Sequence, residues 1–337
     1  MNSRARVVKA INFDYPDRPP ISHAILPIAQ LTYGKELDAI LSQTHEDFGW
    51  EFLSDLKKDD FPALYRAGEN YDSFGTLWSG TEWGICGIPQ KCPFEDWSNY
   101  ENYEWPDFTV APPKTRLYSG HMAGKSDNYY SRGGWIVFFE QAQQLRGFNN
   151  LMMDLAMRTK EVYQLLDDLL EFNLRYIDKW LYWNYDGLHF ADDWGTQRDL
   201  MISPDMWREF FKPAYKKMFE KVIDAGVDVH FHSDGNIIEI MPDLLDIGVK
   251  VLNCQNSLIG LEKLKKDFAG KICFRTDLDR QKVMVLGSPE DVKKHIQETF
   301  TYLGSKKGGV IACGEIGVDT PLDNIRTMYD TFMNFKF

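Results

Sequence analysis

The sequence predicts an α/β protein, specifically a (β/α)8 TIM barrel with an aromatic-rich elaboration in its N-terminal third. Three observations support this fold class. Short apolar runs alternate with helical segments from residue 187 onward, which is typical of parallel strands connected by helices. Polar and acidic residues follow most of these runs. A chain of 337 residues is also a normal length for one barrel with insertions.

The C-terminal half contains five consecutive strand–helix units. Strands are predicted at 187–191, 227–232, 249–253, 271–275 and 309–312. The helices that follow them are predicted at 204–225, 236–247, 260–268, 289–303 and 321–334. Ser203 and Pro204 form a typical helix start, and Pro213 should interrupt the same helix.

The N-terminal half continues the barrel with less regular signals. Ile21–Leu26 is the candidate first strand, and residues 36–57 have helical periodicity. The run WIVFF, residues 135–139, predicts a buried strand, and residues 160–182 predict an amphipathic helix that packs on the core. No linker divides the chain, so residues 1–337 are interpreted as one barrel domain.

Residues 60–134 differ in composition from the rest of the chain. They are rich in Gly, Pro, Asn and aromatic residues and show little helical periodicity. We expect a loop-rich insertion that caps the barrel and lines a small-molecule pocket with Phe74, Trp78 and Trp83. The alternative is a surface insertion with a small core of its own.

Composition excludes several classes of protein. The net charge of −12 and the absence of a Lys/Arg cluster exclude a binder of nucleic acid or of an anionic membrane surface. No apolar run approaches the ~18 residues of a membrane span, and the N-terminus lacks a signal peptide's apolar core. The five cysteines form no C-x-x-C pair. We therefore expect a reduced, cytoplasmic protein that binds a small molecule.

Polar side chains follow the predicted strands where a barrel would place its site. Because the C-terminal ends of parallel strands share one face, these residues should converge there. The set comprises Asp192, Asp193, Trp194, Gln197, His232, Asp234, Asn236, Gln255, Asn256, Arg275, Asp277, Cys313 and Glu315. The alternative is that many of them are turn and capping residues, with Asn236 as a helix N-cap and Asp192 or Asp193 capping a loop.

Four segments carry a family resemblance: DDWGTQ from residue 192, ISPDMWREFFKPAYKK from 202, HSDGNI from 232 and TPLDNI from 320. Together they resemble the uroporphyrinogen decarboxylase superfamily, and its corrinoid-dependent methyltransferase branch most of all. The resemblance covers residues 115–335 well and the N-terminal third loosely. It implies a (β/α)8 barrel and methyl transfer to or from a cobalamin.

Zinc-dependent methyltransferases of this superfamily hold zinc with a His-x-Cys-Gly motif and a distal cysteine. In this sequence the histidine is His232, Asp234 stands at the first cysteine position, and Glu315, or else Cys313, stands at the distal one. Whether a metal binds is unknown from sequence; zinc is compatible, with His232, Asp234 and Glu315 as its ligands. Carboxylates are harder ligands than thiolates, which disfavours a thiol substrate.

The resemblance and the missing N-terminal arginine cluster together favour an O-demethylase methyltransferase over a decarboxylase. The expected reaction takes a methyl group from a methoxylated aromatic to the cobalt(I) of cobalamin on a separate corrinoid protein, because the chain has no D-x-H-x-x-G motif. The open alternatives are a decarboxylase, another O-, N- or S-methyl donor, or a non-catalytic binding protein; a homodimer is compatible with the sequence. The expected catalytic residues are His232, Asp193, Asp234 and Glu315, and the expected substrate contacts are Phe74, Trp78, Trp83, Trp194, Gln197, Asn236 and Gln255.

Overall fold

A six-stranded parallel sheet forms most of the barrel wall in the computed structural model, which describes residues 1–50, 61–107 and 124–337. The described strands are β1 (Ala24–Ile25), β2 (Gly68–Tyr71), β3 (Leu77–Gly80), β4 (Ile88–Lys91), β5 (Arg132–Ile136), β6 (Gly187–Ala191), β7 (Asp228–Ser233), β8 (Val251–Cys254), β9 (Cys273–Arg275), β10 (Val310–Ile311) and β11 (Glu315–Ile316). Strands β5 to β10 lie side by side in chain order.

The first and second strand positions close the barrel. β1 pairs in parallel with β11, and Ile21 bridges Ala312 in the same direction. Asp47 fills the remaining gap, because its N–H donates to the Ile21 carbonyl at 2.9 Å and its carbonyl accepts from Tyr130 N–H at 3.0 Å. Eight strand positions therefore surround one core, which confirms the predicted (β/α)8 barrel.

Helices follow the strands and cover the outside of the barrel. They are α1 (Ser3–Ile11), α2 (Pro27–Leu41), α3 (Phe139–Arg146), α4 (Phe148–Met157), α5 (Lys160–Leu181), α6 (Pro204–Phe210), α7 (Lys212–Asp224), α8 (Met241–Asp246), α9 (Asn256–Ile259), α10 (Leu261–Asp267), α11 (Val283–Leu286), α12 (Pro289–Leu303) and α13 (Leu322–Asn334). None of these described helices combines the length and apolar composition that a bilayer span requires.

Two predicted helices end or begin at different places in the structure. The prediction over 36–57 is wrong in its bounds, because α2 begins at Pro27 and ends at Leu41; residues 51–57 lie outside the described part. The helix predicted from 236 begins only at Met241. Gly235 has a φ of +80°, and the Asn236 side chain donates to the Arg198 carbonyl, so that the chain turns before the helix forms.

The strand predicted over 135–139 is also wrong in its bounds. β5 ends at Ile136, and α3 begins at Phe139. Asp192 explains the early helix, since its carboxylate accepts from the N–H groups of Phe138 and Glu140, two groups at the start of α3. Asp192 therefore caps the start of α3, and not the loop after its own strand as the alternative interpretation had it.

The predicted insertion packs on the main core of the barrel in the part that the structure describes, since Phe74 and Phe94 belong to that core. β2, β3 and β4 form an antiparallel sheet. Phe74 packs 5.3 Å, ring centre to ring centre, from Phe172 of α5, and Trp78 is buried with its indole N–H on Asp72. Residues 108–123 of the insertion lie outside the described ranges, so its role as a cap over the barrel stays a prediction.

Candidate active site

His232 lies at the C-terminal end of β7, and Asn253 of β8 fixes its orientation. The imidazole Nδ1 lies 2.8 Å from the Asn253 side-chain oxygen, while the Asn253 amide nitrogen donates to the Arg275 carbonyl at 2.8 Å. The oxygen is an acceptor, so Nδ1 carries the hydrogen that it receives. Nε2 is then the ring nitrogen that faces the barrel mouth.

Two carboxylates converge on this nitrogen. His232 Nε2 lies 3.6 Å from an oxygen of Asp193 and 3.7 Å from an oxygen of Asp234. The three donor atoms all lie within 4.8 Å of one another. The Asp234 oxygen is buried and has no hydrogen-bond partner in the described part of the chain, which is costly for a carboxylate unless a cation or a proton compensates it.

The two strand-end loops are bonded directly to each other. Asp193 accepts from the backbone N–H of Asp234 at 2.8 Å, and Gly195 N–H donates to the Asp234 carbonyl at 3.1 Å. A Cβ on Gly235 would lie 2.1 Å from the backbone of Gly195, so the contact requires glycine. The Asp-Asp-Trp-Gly and His-Ser-Asp-Gly segments therefore form one unit around the histidine.

Arg280 joins Glu315 to this cluster. Its guanidinium donates to the second oxygen of Asp234 and to Glu315. Glu315 is therefore held beside the cluster by an arginine and is not one of the three converging ligand groups. Arg280 was not among the site residues predicted from the sequence, although its place in the loop after the strand ending at Arg275 was a usable signal.

Two further acids at the mouth are shifted toward their neutral form. Burial, and then the charges of Asp192 and Asp193, raise the pKa of Glu140 to about 9. The Glu140 carboxyl also accepts from Asp193 N–H at 3.2 Å. Burial raises the pKa of Asp277 to about 7, with Arg280 lowering it and Asp234 raising it. Like charges and burial together make a protonated carboxyl available near neutral pH.

The aromatic surface at the mouth comes from Trp135, which the sequence analysis placed in a buried strand. Trp135 is 59% exposed, and its ring centre lies 5.1 Å from that of His189 and 6.5 Å from that of His232. The pairing register of β5 shifts between Gly133 and Ile136, and this irregularity changes which side chains face the mouth. Local irregularity of this kind leaves no clear periodicity signal in the sequence.

The predicted substrate contacts occupy different environments. Trp194 is completely buried, stacked 3.8 Å from Phe139, with its indole N–H on Tyr215. Phe74 and Trp78 belong to the packed insertion described above. Gln197 is exposed, Gln255 accepts from Gly235 N–H, and Asn236 binds the Arg198 carbonyl.

Trp83 lies near the rim of the mouth, within the same insertion. A Cβ on the adjacent Gly84 would lie 2.6 Å from the backbone of Ile28, which follows β1. Glu140 and Asp193 also contribute to raising the pKa of the nearby Cys86 thiol, after burial. The segment that contains Trp83 therefore comes within electrostatic range of Glu140 and Asp193 at Cys86.

The converging groups fit a divalent metal. One neutral imidazole nitrogen and two carboxylates are ligands that zinc accepts, and the Asn253 contact is the kind of outer partner that orients a ligating histidine. The spacing of the three donors is compatible with metal–ligand bonds of about 2.0–2.2 Å. The partnerless Asp234 oxygen is the observation that a bound cation would explain.

Several solved structures resemble this chain in their fold. A methyltransferase from Methanosarcina mazei matches over 99% of this chain and 98% of its own, with 14% identity and a TM-score of 0.62; this likeness shows the fold. A B12-independent methionine synthase from Shewanella sp. W3-18-1 matches over 51% of this chain and 53% of its own, with 12% identity and a TM-score of 0.31. A dihydropteroate synthetase matches over 41% of this chain and 53% of its own, with 13% identity and a TM-score of 0.29. No curated protein matches the sequence.

The family match covers the strands and loops that build this site. The model of the uroporphyrinogen decarboxylase (URO-D) family matches residues 139–335, more than half of the chain. That range includes Glu140, Asp193, His232, Asp234 and Glu315. The chain belongs to the uroporphyrinogen decarboxylase (URO-D) family.

Proposed function

We propose that this protein is a corrinoid-dependent methyltransferase that takes a methyl group from an aryl methyl ether. The observation that carries the proposal is the arrangement at the mouth. His232 Nε2 faces Asp193 and Asp234, and the exposed ring of Trp135 lies beside the histidine. An aromatic wall next to a cluster of acids suits a small aromatic ring whose ether oxygen must be polarised.

The chain's own groups would position the ring and protonate the leaving oxygen. Trp135 would stack on the methoxylated ring, since its ring is exposed and supported by His189. Glu140 holds its proton at neutral pH, because burial and the nearby acids raise its pKa to about 9. The proton would pass from Glu140 to the ether oxygen as the methyl group departs, so that a neutral phenol leaves.

Two groups from outside the chain belong to the proposal. A divalent metal held by Asp193, His232 and Asp234 would act as a Lewis acid on the ether oxygen. Cobalamin carried by a separate corrinoid protein would supply the cobalt(I) that accepts the methyl group. Both remain proposals, together with zinc as the metal and the O-demethylase assignment within the family.

The direct test mixes the purified protein with a reduced corrinoid protein and guaiacol or vanillate. Formation of the methylcobalamin spectrum is the expected result. His232→Ala should lower the rate about 10²- to 10⁴-fold while leaving the circular dichroism spectrum unchanged. His45→Ala is the matched control, because His45 is exposed and contacts Arg18 only through its backbone.

Elemental analysis after dialysis against zinc tests the metal separately. We expect one equivalent in the wild-type protein and a clear loss in His232→Ala and Asp193→Asn. Absence of methyl transfer from any methoxyarene or methylamine would contradict the proposed function. Full turnover by His232→Ala would remove the histidine from the mechanism.

The second candidate is a decarboxylase, and the family match is what favours it. Release of carbon dioxide from uroporphyrinogen, or from another carboxylated ring, would establish this alternative. The same mixture distinguishes the two reactions, since demethylation leaves every carboxyl group of the substrate in place. Tight binding of a corrinoid protein with no turnover on either panel would instead indicate a non-catalytic binding protein.

A further inference from the structure

Two guanidinium groups lie inside the barrel below His232. Arg132 belongs to β5 and Arg275 to β9, and they share the interior with Ser22 and His230. Arg275 Nε donates to the Ser22 hydroxyl at 3.3 Å, and both arginines contribute to lowering the pKa of His230, after burial. These four residues come from alternate strands, as expected for one layer of a TIM-barrel interior.

Neither guanidinium has a carboxylate partner among the described residues. The Arg132 guanidinium makes no hydrogen bond to that part of the chain, and its Nη1 is buried without a partner there. Its one charge–ring contact is with Phe48, at 5.7 Å from the ring centre. Arg275 donates only to neutral groups, the Ser22 hydroxyl and, at 3.0 Å, the Asn253 side-chain oxygen.

The surrounding titratable groups supply little of the missing negative charge. Asp277 interacts with Arg275, but burial raises the pKa of its carboxyl to about 7. Burial raises the pKa of Glu46 to about 8, so this carboxyl is mostly neutral at pH 7. Burial also raises the pKa of the Cys313 thiol and lowers the pKa of His189 well below its usual value. Asp228 lies near the same interior, but it is bound by Tyr130 and by Lys250.

Unpaired buried charge of this kind is expensive for a folded protein. Burial, and then the neighbouring charge of Arg275, lower the pKa of Arg132 to about 9. That direction is unusual for an arginine, which is nearly always charged and favours paired environments. A bound anion would satisfy the free donors of Arg132 and offset the repulsion between the two guanidiniums.

We infer that Arg132 and Arg275 bind the carboxylate of the methyl donor, which would be a methoxylated aromatic acid; this rests on the proposed function. His230 and His232 lie on one face of β7 and are two residues apart, a separation of about 7 Å along the strand. That distance is comparable with the span of a benzene ring carrying a carboxylate and a methoxy group. Asn253 links the arginines to the His232 cluster, because its side-chain oxygen lies 3.0 Å from Arg275 Nη1 and 2.8 Å from His232 Nδ1. The ring would lie alongside Asn253, with its carboxylate on the arginines and its methoxy group at the His232 cluster.

A binding experiment without corrinoid protein tests the inference. Calorimetric titration compares 3-methoxybenzoate with its methyl ester, which keeps the ring and the methoxy group but lacks the charge. We expect the acid to bind wild-type protein about 10- to 100-fold more tightly than the ester, the range expected from charge-assisted hydrogen bonds. Equal affinity for the two would overturn the inference.

Arg132→Met is the diagnostic variant, because methionine keeps a long side chain and removes the charge. We expect this variant to lose the preference for the acid and to melt at a higher temperature than the wild type when free of ligand. Arg158→Met is the matched control, since Arg158 is paired with Glu209 at the surface, and it should keep the preference. An unchanged preference in Arg132→Met would contradict the inference.

Three outcomes separate this site from the function on which it rests. Tight acid binding without methyl transfer from any donor would reject the proposed function, and with it the assignment of the bound acid as methyl donor. Rapid demethylation of guaiacol, with no effect of Arg132→Met on either ligand, would reject the site and keep the function. If phosphate displaces the acid at equal concentration, the arginines form a general anion site, and the inference about the donor is wrong.

Discussion

The two ends of the barrel differ in how completely their buried carboxylates are hydrogen-bonded. At the N-terminal end, Asp47 is completely buried, and its carboxylate accepts from Arg6, Arg18 and the backbone N–H of Ile21. At the C-terminal end, Asp234 has a buried oxygen with no hydrogen-bond partner among the described residues, and His232 Nε2 faces two acids.

This difference separates stability from function. A buried carboxylate with three donors is fully satisfied, and it fixes the second strand position between Ile21 and Tyr130. The acids that face the histidine are only partly satisfied, because one Asp234 oxygen lacks a hydrogen-bond partner among the described residues. Such local conflict is expected where a protein binds something else. In TIM barrels the chemistry is found at the C-terminal end, which agrees with this contrast.

The largest expected loss of stability comes from removing the fully paired carboxylate at the N-terminal end of the barrel. Asp47→Ala leaves Arg6 and Arg18 without their shared buried partner, and we expect a loss of about 3–5 kcal/mol in the free energy of unfolding. Urea denaturation followed by circular dichroism measures this loss. Asp234→Asn is the comparison, and it should cost much less or even stabilise the ligand-free protein. Equal losses in the two variants would remove the distinction between the ends.

An intermediate effect is expected at Asn253, which orients His232 without belonging to the acidic cluster. Asn253→Ala should reduce metal affinity or turnover about 10- to 100-fold, because the imidazole can then rotate and change its tautomer. Asn253→Asp keeps the acceptor oxygen and should recover part of the loss. A fold defect would change the melting temperature of both variants alike, whereas a positioning role would separate them in metal affinity.

The pH dependence of stability should show the raised pKa of Asp277 at the mouth. Burial raises the pKa of Asp277 to about 7 in the folded protein, so its carboxyl keeps a proton at mildly acidic pH. The charges of Asp234 and Glu315 also raise this pKa, whereas Arg280 and Arg275 lower it. The unfolded chain binds fewer protons between about pH 4 and 7, so this group's contribution to stability falls as pH rises through that window. Melting temperatures of metal-free protein at pH 5, 6 and 7 measure the slope. Asp277→Asn should make it shallower, and an equal slope would contradict the assignment.

Regular alternation along the chain was sufficient to predict the barrel. The five C-terminal strand–helix units, the interruption of the helix near Pro213 and the amphipathic helix α5 all follow from local periodicity and capping. The meeting of Asp193, His232 and Asp234 follows from the rule that parallel strands end at one face. These features depend on patterns only a few residues long, which a single sequence records.

The remaining features depend on contacts between distant segments. Trp135 faces the mouth because the β5 register shifts, and α3 begins early because Asp192 binds its first N–H groups. Arg280 reaches Asp234 from a loop 46 residues away in sequence. The lack of partners around Arg132 appears only when the whole interior is assembled. No local pattern carries this information.

The smallest expected loss of stability comes from breaking an ion pair at the surface. It tests whether burial or pairing of a charge determines its contribution to stability. Arg158 forms a two-pronged ion pair with Glu209, as well formed as the contacts of Asp47, but its side chain is 51% exposed. Water and salt weaken such a pair, so Arg158→Ala should leave the urea midpoint within experimental error. Arg146→Ala, which breaks a buried pair with Asp154, should lower the midpoint clearly. If both variants lose the same stability, pairing and not burial governs the charges of this barrel.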